Sequence, residues 1–419
     1  MIDSIPHEKL KSGFGFGGVL SEIGPKTGAG DSPHEDHDLS IDEYWMTEAL
    51  KESLKSMGLA NPNPAVGCVI VKDGVEIARG HTQVYGGLHA ERAAFMKIAD
   101  KKILRGATVY VTLEPCSHFG HQPPCADLLA SSEIKRVVVG RGDPDARVSG
   151  RGISKLIAND KIVTKGLLSS EITAWNYPFF LSRTQSQPMF AAMWEQKLTF
   201  ENLTLVETSD HRQETSSQSY SQWLRQKYDL VLTDFEFMFK NLSQHARAGK
   251  ISDQMSPNRF IYDSDAQIFN LPEADFQKLD VSHAVVILTD EQSFHLAPKG
   301  HWAKSNALVQ WALLPEKVSK TVVTAIIEKL KLVYLKNSHK TLQSILLEGS
   351  PTFLTHLFKE QVPELIHIFA SDEVSPDLQY PSLSELTRAH FEVLATATLQ
   401  KDFLIELTPN YLWEKLARV

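Results

Sequence analysis

The hydrophobic period of the chain changes several times. Apolar residues in "DEYWMTEALKESLKSMG" (42–58) fall on one face at helical spacing, which predicts an amphipathic helix ending near Gly58. "AVGCVIVKDGVEIARG" (65–80) reads as two strands around an Asp73-Gly74 hairpin turn. Then follow a helix in "HAERAAFMKIA", a buried strand in "ATVYVTL", a helix in "CADLLASS" and a strand in "KRVVVG". Such alternation builds a layered α/β domain. It is expected to close with one helix, "SSEITAWNYPFFLSR" (169–183).

"TQSQP" (184–188) reads as a linker. Beyond it, "DLVLTDF", "NRFIYD", "HAVVILTD", "QSILLEG" and "ELIHIFA" are strand candidates separated by helical stretches, so a second α/β domain is expected over 188–419. The first domain then covers 41–184, and residues 1–40 form a flexible or capping extension without a sustained period. Gly13, Gly15 and Gly18 formally satisfy G-x-G-x-x-G. Without a strand before them they read as tail rather than as a dinucleotide site. "PHEDHD" (33–38) misses H-E-x-x-H by one residue and reads as a solvated polar stretch.

Composition narrows the class. A chain of 419 residues exceeds what one core usually supports. Net charge −8 gives no footprint for non-specific nucleic-acid binding. No apolar run approaches the ~20 residues that span a bilayer, and no basic-then-apolar leader opens the chain, so a cytoplasmic protein is expected. The cysteines are Cys68, Cys116 and Cys125, an odd and sparse set that argues against a disulfide framework.

Two of those cysteines share a region with His89 and Glu91. Zinc takes Cys and His ligands, and a catalytic site keeps three of them with water in the fourth position. His89, Cys116 and Cys125 supply such a set, and Glu91, two residues from His89, is placed to carry protons. This is the H-x-E…P-C-x-x-C logic of zinc nucleobase deaminases. Two plainer readings stand beside it: a structural zinc completed by His118 or His121, or cysteines that are merely buried.

The stretch "PNPAVGCVIVKDG…GHTQVYGGLHAE…GATVYVTLEPCSHFGHQPPCADLL…RVVVGRGDPDARVSGRGI" resembles the deaminase domain of the riboflavin-biosynthesis deaminase/reductase family, over about residues 43–184. The resemblance implies a cytidine-deaminase-like α/β/α domain with catalytic zinc. The implied substrate is 2,5-diamino-6-(5-phosphoribosylamino)pyrimidin-4-one, hydrolysed at its 2-amino group. It also implies His89, Cys116 and Cys125 as zinc ligands, Glu91 as proton shuttle, and Asn63, His81, His118 and His121 as substrate contacts. Three positions depart from the family pattern. His81 lies one residue further from His89 than usual, His121 stands where Lys or Arg is common, and Asp145 replaces an asparagine in the loop that carries Asp143.

In this family a dihydrofolate-reductase-like α/β domain follows and uses NADPH. Here Glu348 matches its substrate-contacting glutamate, and Gly349 and Ser350 occupy the cofactor-phosphate turn, whose N–H groups open a helix at Pro351. Elsewhere the signatures are missing. K-x-x-x-S-x-D-G-[KR] falls on Met193, Lys197, Thr199, Phe200 and Glu201, and G-x-x-T-V-x-x-D-[DN]-P becomes "DFEFMFKNLS" (234–243). Phe235, Phe237 and Phe239 alternate there, which suggests a strand-like or packed surface that would fit an interface if exposed, and a phenylalanine in place of a tight-turn glycine closes space a cofactor would use. The expectation is a zinc-dependent deaminase with a degenerate reductase-like domain that binds no NADPH, forming a dimer through that domain. A complete bifunctional enzyme and a catalytically silent zinc scaffold are the alternatives.

Overall fold

A computed structural model of the chain describes residues 41–144, 149–197, 212–213, 221, 224–225, 227–240, 258–263, 266–276, 285–296, 298–306, 309–314, 322–360, 363–371, 386, 391–399 and 402–409. The extension 1–40, with Gly13, Gly15 and Gly18, lies outside these residues. Two compact units divide between Gln187 and Pro188. Among the described residues no helix is long and apolar enough to cross a membrane.

In the first unit, β1 (Gly67–Lys72), β2 (Val75–His81), β3 (Thr108–Leu113), β4 (Arg136–Arg141) and β5 (Ile162–Lys165) form a sheet of order β2-β1-β3-β4-β5. β1 is antiparallel to β2 and β3, while β3-β4 and β4-β5 are parallel. The β1-β2 turn holds Asp73 and Gly74 at φ 51° and 77°, as a two-residue primed turn requires.

Helices α1 (Ile41–Ser53), α2 (Ala90–Met96), α3 (Cys125–Ser131), α4 (Arg151–Ile157), α5 (Ser169–Trp175) and α6 (Tyr177–Gln185) cover the sheet. Strand side chains alternate between two cores. Cys68, Ile70, Val109, Val111, Val137 and Val139 pack with residues of α2, α3, α4 and α6. Val69, Val71, Tyr110 and Val138 pack with Met46 and Ala49 of α1 and Ile172 of α5. Apolar runs buried on both faces produce this three-layer α/β/α arrangement.

Close approach of helix to sheet depends on glycine at two positions. A Cβ on Gly67 would stand 1.8 Å from Ala49 O, and one on Gly80 would stand 2.4 Å from Ala94 N. The single helix expected over 169–183 is two helices, because Asn176 leaves helical geometry (φ −99°, ψ 20°). Thr184 and Gln185 belong to α6, so little of "TQSQP" is a free connection. α4 and β5 were not foreseen.

The second unit holds a ten-stranded sheet, order β11-β10-β9-β8-β12-β6-β13-β15-β14-β7. Its strands are β6 (Met189–Lys197), β7 (Arg212–Gln213), β8 (Leu230–Asp234), β9 (Asn258–Tyr262), β10 (Val285–Asp290), β11 (Val309–Leu314), β12 (Ser344–Leu347), β13 (Leu365–Ser371), β14 (Phe391–Leu399) and β15 (Asp402–Pro409). From β11 to β13 all pairings are parallel, and β13-β15 and β15-β14 are antiparallel. All five strand candidates appear, as β8, β9, β10, β12 and β13; the sheet also contains β6, β7, β11, β14 and β15.

The strand-like reading of the phenylalanine stretch does not hold. Phe235–Lys240 is a helix, α7, directly after β8. Phe235 packs against the core cluster around Met238 and Ile261, and Phe237 is half-buried, so these side chains do not form an exposed apolar face.

Candidate metal centre and substrate cleft

His89 is the N-cap of α2, with extended backbone (φ −72°, ψ 158°), and Glu91 sits in that helix's first turn with 4% exposure. Cys116 follows β3 after Glu114 and Pro115. Cys125 opens α3, with Pro124 as its N-cap. His89 Nδ1 lies 3.5 Å from Cys116 Sγ and 3.6 Å from Cys125 Sγ, and the three donor atoms fall within 4.8 Å of one another. Bonds of about 2.0–2.1 Å to nitrogen and about 2.3 Å to sulfur put tetrahedral zinc ligands about 3.5 Å apart. The donor set and its spacing fit zinc. Glu91 belongs to the same buried cluster and interacts with the Cys125 thiol.

The electrostatics are those of a closely coupled group. Hydrogen bonding from Cys125 holds the Cys116 thiol well below its ordinary range against the effect of burial, with His89 and the Cys125 N–H (3.3 Å from Cys116 Sγ) adding to it. The Cys125 thiol is pushed up by its bond to Cys116 and by burial. Its bond to Cys116 raises His89. Burial, then the charge of Cys116, raises the Glu91 carboxyl.

Glu114, absent from the sequence reading, fixes the approach to Cys116. Its buried carboxylate accepts Gly150 N at 3.0 Å, Gly152 N at 2.9 Å and Ile153 N at 3.2 Å, which ties the end of β3 to the start of α4. A Cβ on Gly152 would meet Pro115 O at 2.1 Å, so the two segments touch backbone to backbone.

A cleft of about 420 Å³ opens over these groups, within the range of small-molecule sites. His89, Glu91 and Cys116 line it, and so do Asn63, His118, His121 and Asp143. Asn63 is half-buried, and its backbone N–H is bonded to Ala60 O at 2.9 Å. His121 Nε2 lies 3.1 Å from Tyr85 Oη, another lining residue. His81 is not among the lining residues. Its Nδ1 lies 2.8 Å from the buried Glu52 carboxylate, which also accepts from Lys55, so His81 is engaged in a charge network beside the cleft's lining residue Thr82. Asp145 lies outside the described residues. Arg183, near the C-terminal end of α6, also lines the cleft; no motif in the sequence pointed to it.

In the second unit the anion-cradling turn is already engaged. Ser350 N–H donates to Asp234 Oδ2 at 2.6 Å, and Phe237 N–H donates to Asp234 Oδ1 at 3.0 Å. The pattern's glycine position falls on Asp234, not on a phenylalanine, so an aspartate closes that space. A Cβ on Gly349 would meet Asp234 Oδ2 at 2.5 Å. Glu348 is buried and accepts from Arg225 Nε at 2.6 Å. Met193 is buried in β6, and Thr199, Phe200 and Glu201 lie outside the described residues.

Comparisons with known proteins agree with this geometry. A family model for the cytidine and deoxycytidylate deaminase zinc-binding region matches residues 39–141. The riboflavin biosynthesis protein RibD of Aquifex aeolicus is 31% identical over 337 residues, 80% of this chain and 88% of that one. The diaminohydroxyphosphoribosylamino-pyrimidine deaminase of Buchnera aphidicola (subspecies Schizaphis graminum) is 41% identical over 139 residues, 33% of this chain and 93% of that one. Among solved structures, the Thermotoga maritima diaminohydroxyphosphoribosylaminopyrimidine deaminase/5-amino-6-(5-phosphoribosylamino)uracil reductase is similar with a TM-score of 0.68 and 26% identity, covering 89% of this chain and all (100%) of that one.

Proposed function

The chain belongs to the riboflavin-biosynthesis deaminase/reductase family, and we propose that its first unit hydrolyses the 2-amino group of 2,5-diamino-6-(5-phosphoribosylamino)pyrimidin-4-one, using zinc held by His89, Cys116 and Cys125. One observation carries the assignment of the site: three zinc-type donors converge beside a buried glutamate in a cleft of substrate size. Bound zinc would supply Lewis acidity, which lowers the pKa of a water molecule to about 7.

The chain's own residues do the rest. Glu91 moves the two protons of the attacking water in turn, one to the ring nitrogen as oxygen adds to carbon and one to the departing amine nitrogen, so water is consumed, C–N is replaced by C=O, and ammonia leaves. Its burial keeps the carboxyl away from bulk water, and α2 holds it two residues from His89. Asn63, whose amide both donates and accepts, orients the pyrimidine edge. His118 and His121 border the same cleft and contact the rest of the ribotide.

The second unit is proposed to carry out no hydride transfer. The support is the Asp234 carboxylate on the Ser350 N–H: a negative charge sits where a cofactor phosphate would seek a donor. The deciding reaction combines zinc-loaded protein, the diaminopyrimidinone ribotide and excess NADPH, with products identified by mass. Amine-to-oxo exchange alone supports both halves of the reading. A further gain of two hydrogens overturns the second half, and absence of any exchange overturns the first.

A further inference from the structure

Resting on the deaminase reading, we infer that Arg183 anchors the substrate's 5-phosphate at the cleft. A phosphate monoester carries about −1.5 to −2 charges at neutral pH and needs a cation or several N–H donors. Among the described residues, Arg183 is the one arginine or lysine in the lining. The carboxylates there do not help: Glu91 is buried by the zinc donors, Glu114 is committed to three backbone N–H groups, and Asp143 repels a phosphate. Among the described residues of the lining, Arg183 is therefore the strongly favourable place for the anionic end of the ribotide.

The placement of Arg183 suits the role. It lies near the end of α6, one turn after Phe179, and its guanidinium sits 5.5 Å from the centroid of that ring, which also lines the cleft. The aromatic face holds the head group at the wall without consuming its N–H donors. Among the described residues no carboxylate pairs with Arg183, and it is exposed, so the planar fork remains available for bidentate phosphate binding. His121, at the position where the family commonly carries Lys or Arg, is engaged with Tyr85. The missing cation is supplied from α6 instead.

The test compares the zinc-loaded wild type with Arg183→Ala and Arg183→Lys on the ribotide and on its dephosphorylated riboside. Ribose 5-phosphate binding is measured separately by calorimetry. The ribotide-over-riboside preference in kcat/KM is expected to fall about 10- to 100-fold in Arg183→Ala, the span of a charge-assisted hydrogen bond. Lysine should restore part of it, zinc content should stay at one per chain, and ribose 5-phosphate binding should weaken in parallel. An unchanged preference, or equal loss on both substrates, overturns the assignment. A wild type that deaminates neither compound while still binding ribose 5-phosphate through Arg183 would overturn the deaminase reading and leave the phosphate site standing.

Discussion

Asn176 clamps the backbone of Ala65 across 111 residues of sequence: its Oδ1 accepts Ala65 N–H at 2.8 Å and its Nδ2 donates to Ala65 O at 3.1 Å. The break between α5 and α6 puts this side chain there, and the clamped residue lies two positions after Asn63. Both partners are buried, so neither backbone group has water as an alternative. Asn176→Ala is expected to cost about 1–3 kcal/mol, the penalty for buried unsatisfied groups, and to raise KM by loosening the loop that carries Asn63. Urea unfolding and steady-state kinetics check both effects. Unchanged stability would mean that the clamp does not hold the loop.

Glu91→Gln preserves size and burial but cannot carry the proton. Turnover should fall at least 10²- to 10⁴-fold, the range of general acid–base catalysis, with zinc content unchanged by metal analysis. Ammonia release near the wild-type rate would show that another group moves the proton.

Cys125→Ser removes a donor and places a hydroxyl in a buried position. Zinc content should drop, and because metal affinity is also folding free energy, the melting temperature of the first unit should fall. Chelation of the wild type should lower it in the same direction. Full zinc retention by the variant would remove Cys125 from the ligand set.

The Asp42–Arg136 pair gives a pH signature away from the site. Arg136 Nη1 and Nη2 donate to the two Asp42 oxygens at 2.9 and 2.6 Å, and Tyr110 Oη donates at 2.8 Å. Hydrogen bonding from Arg136 holds the Asp42 carboxyl below its ordinary 3.8 despite partial burial. A carboxyl lowered in the folded state adds stability that is present above its unfolded value and lost as pH falls through the folded value. The stability gap between wild type and Asp42→Asn should therefore be constant near neutrality and shrink below about pH 3.8. A gap that persists into stronger acid would contradict the pairing.

NADPH should not raise the melting temperature of the protein, since the Ser350 N–H is held by Asp234. Asp234→Gly, which restores the pattern's residue, is the informative partner. Stabilisation of the wild type by NADPH would contradict the closed turn.

The candidate metal donors were readable from the chain because each sits at the edge of a local element. His89 caps a helix that starts at Ala90, and Cys125 opens one after two prolines, so residue type and short spacing sufficed. The β1-β2 hairpin was readable for the same reason: Asp73-Gly74 has one good use between two apolar runs.

Other residues have no local signature. Glu114 acts on N–H groups 36 to 39 positions away, Asn176 on one 111 positions away, and Arg183 reaches the cleft only because α6 packs against the sheet. His81 shows the converse: it is the last residue of β2 and pairs with Glu52, while its sequence neighbour Thr82, just beyond the strand, lines the cleft. The phenylalanine alternation failed likewise, because a period of two over a few residues does not separate a strand from a short helix packed at the end of one. Periodicity and spacing along the chain decided the α/β class, the strands with clear apolar runs and the candidate zinc donors, all of which depend on near neighbours. The packing of distant elements decided which side chains meet in the cleft and which anion-binding turn is closed, since those contacts join residues that the order of the chain keeps far apart.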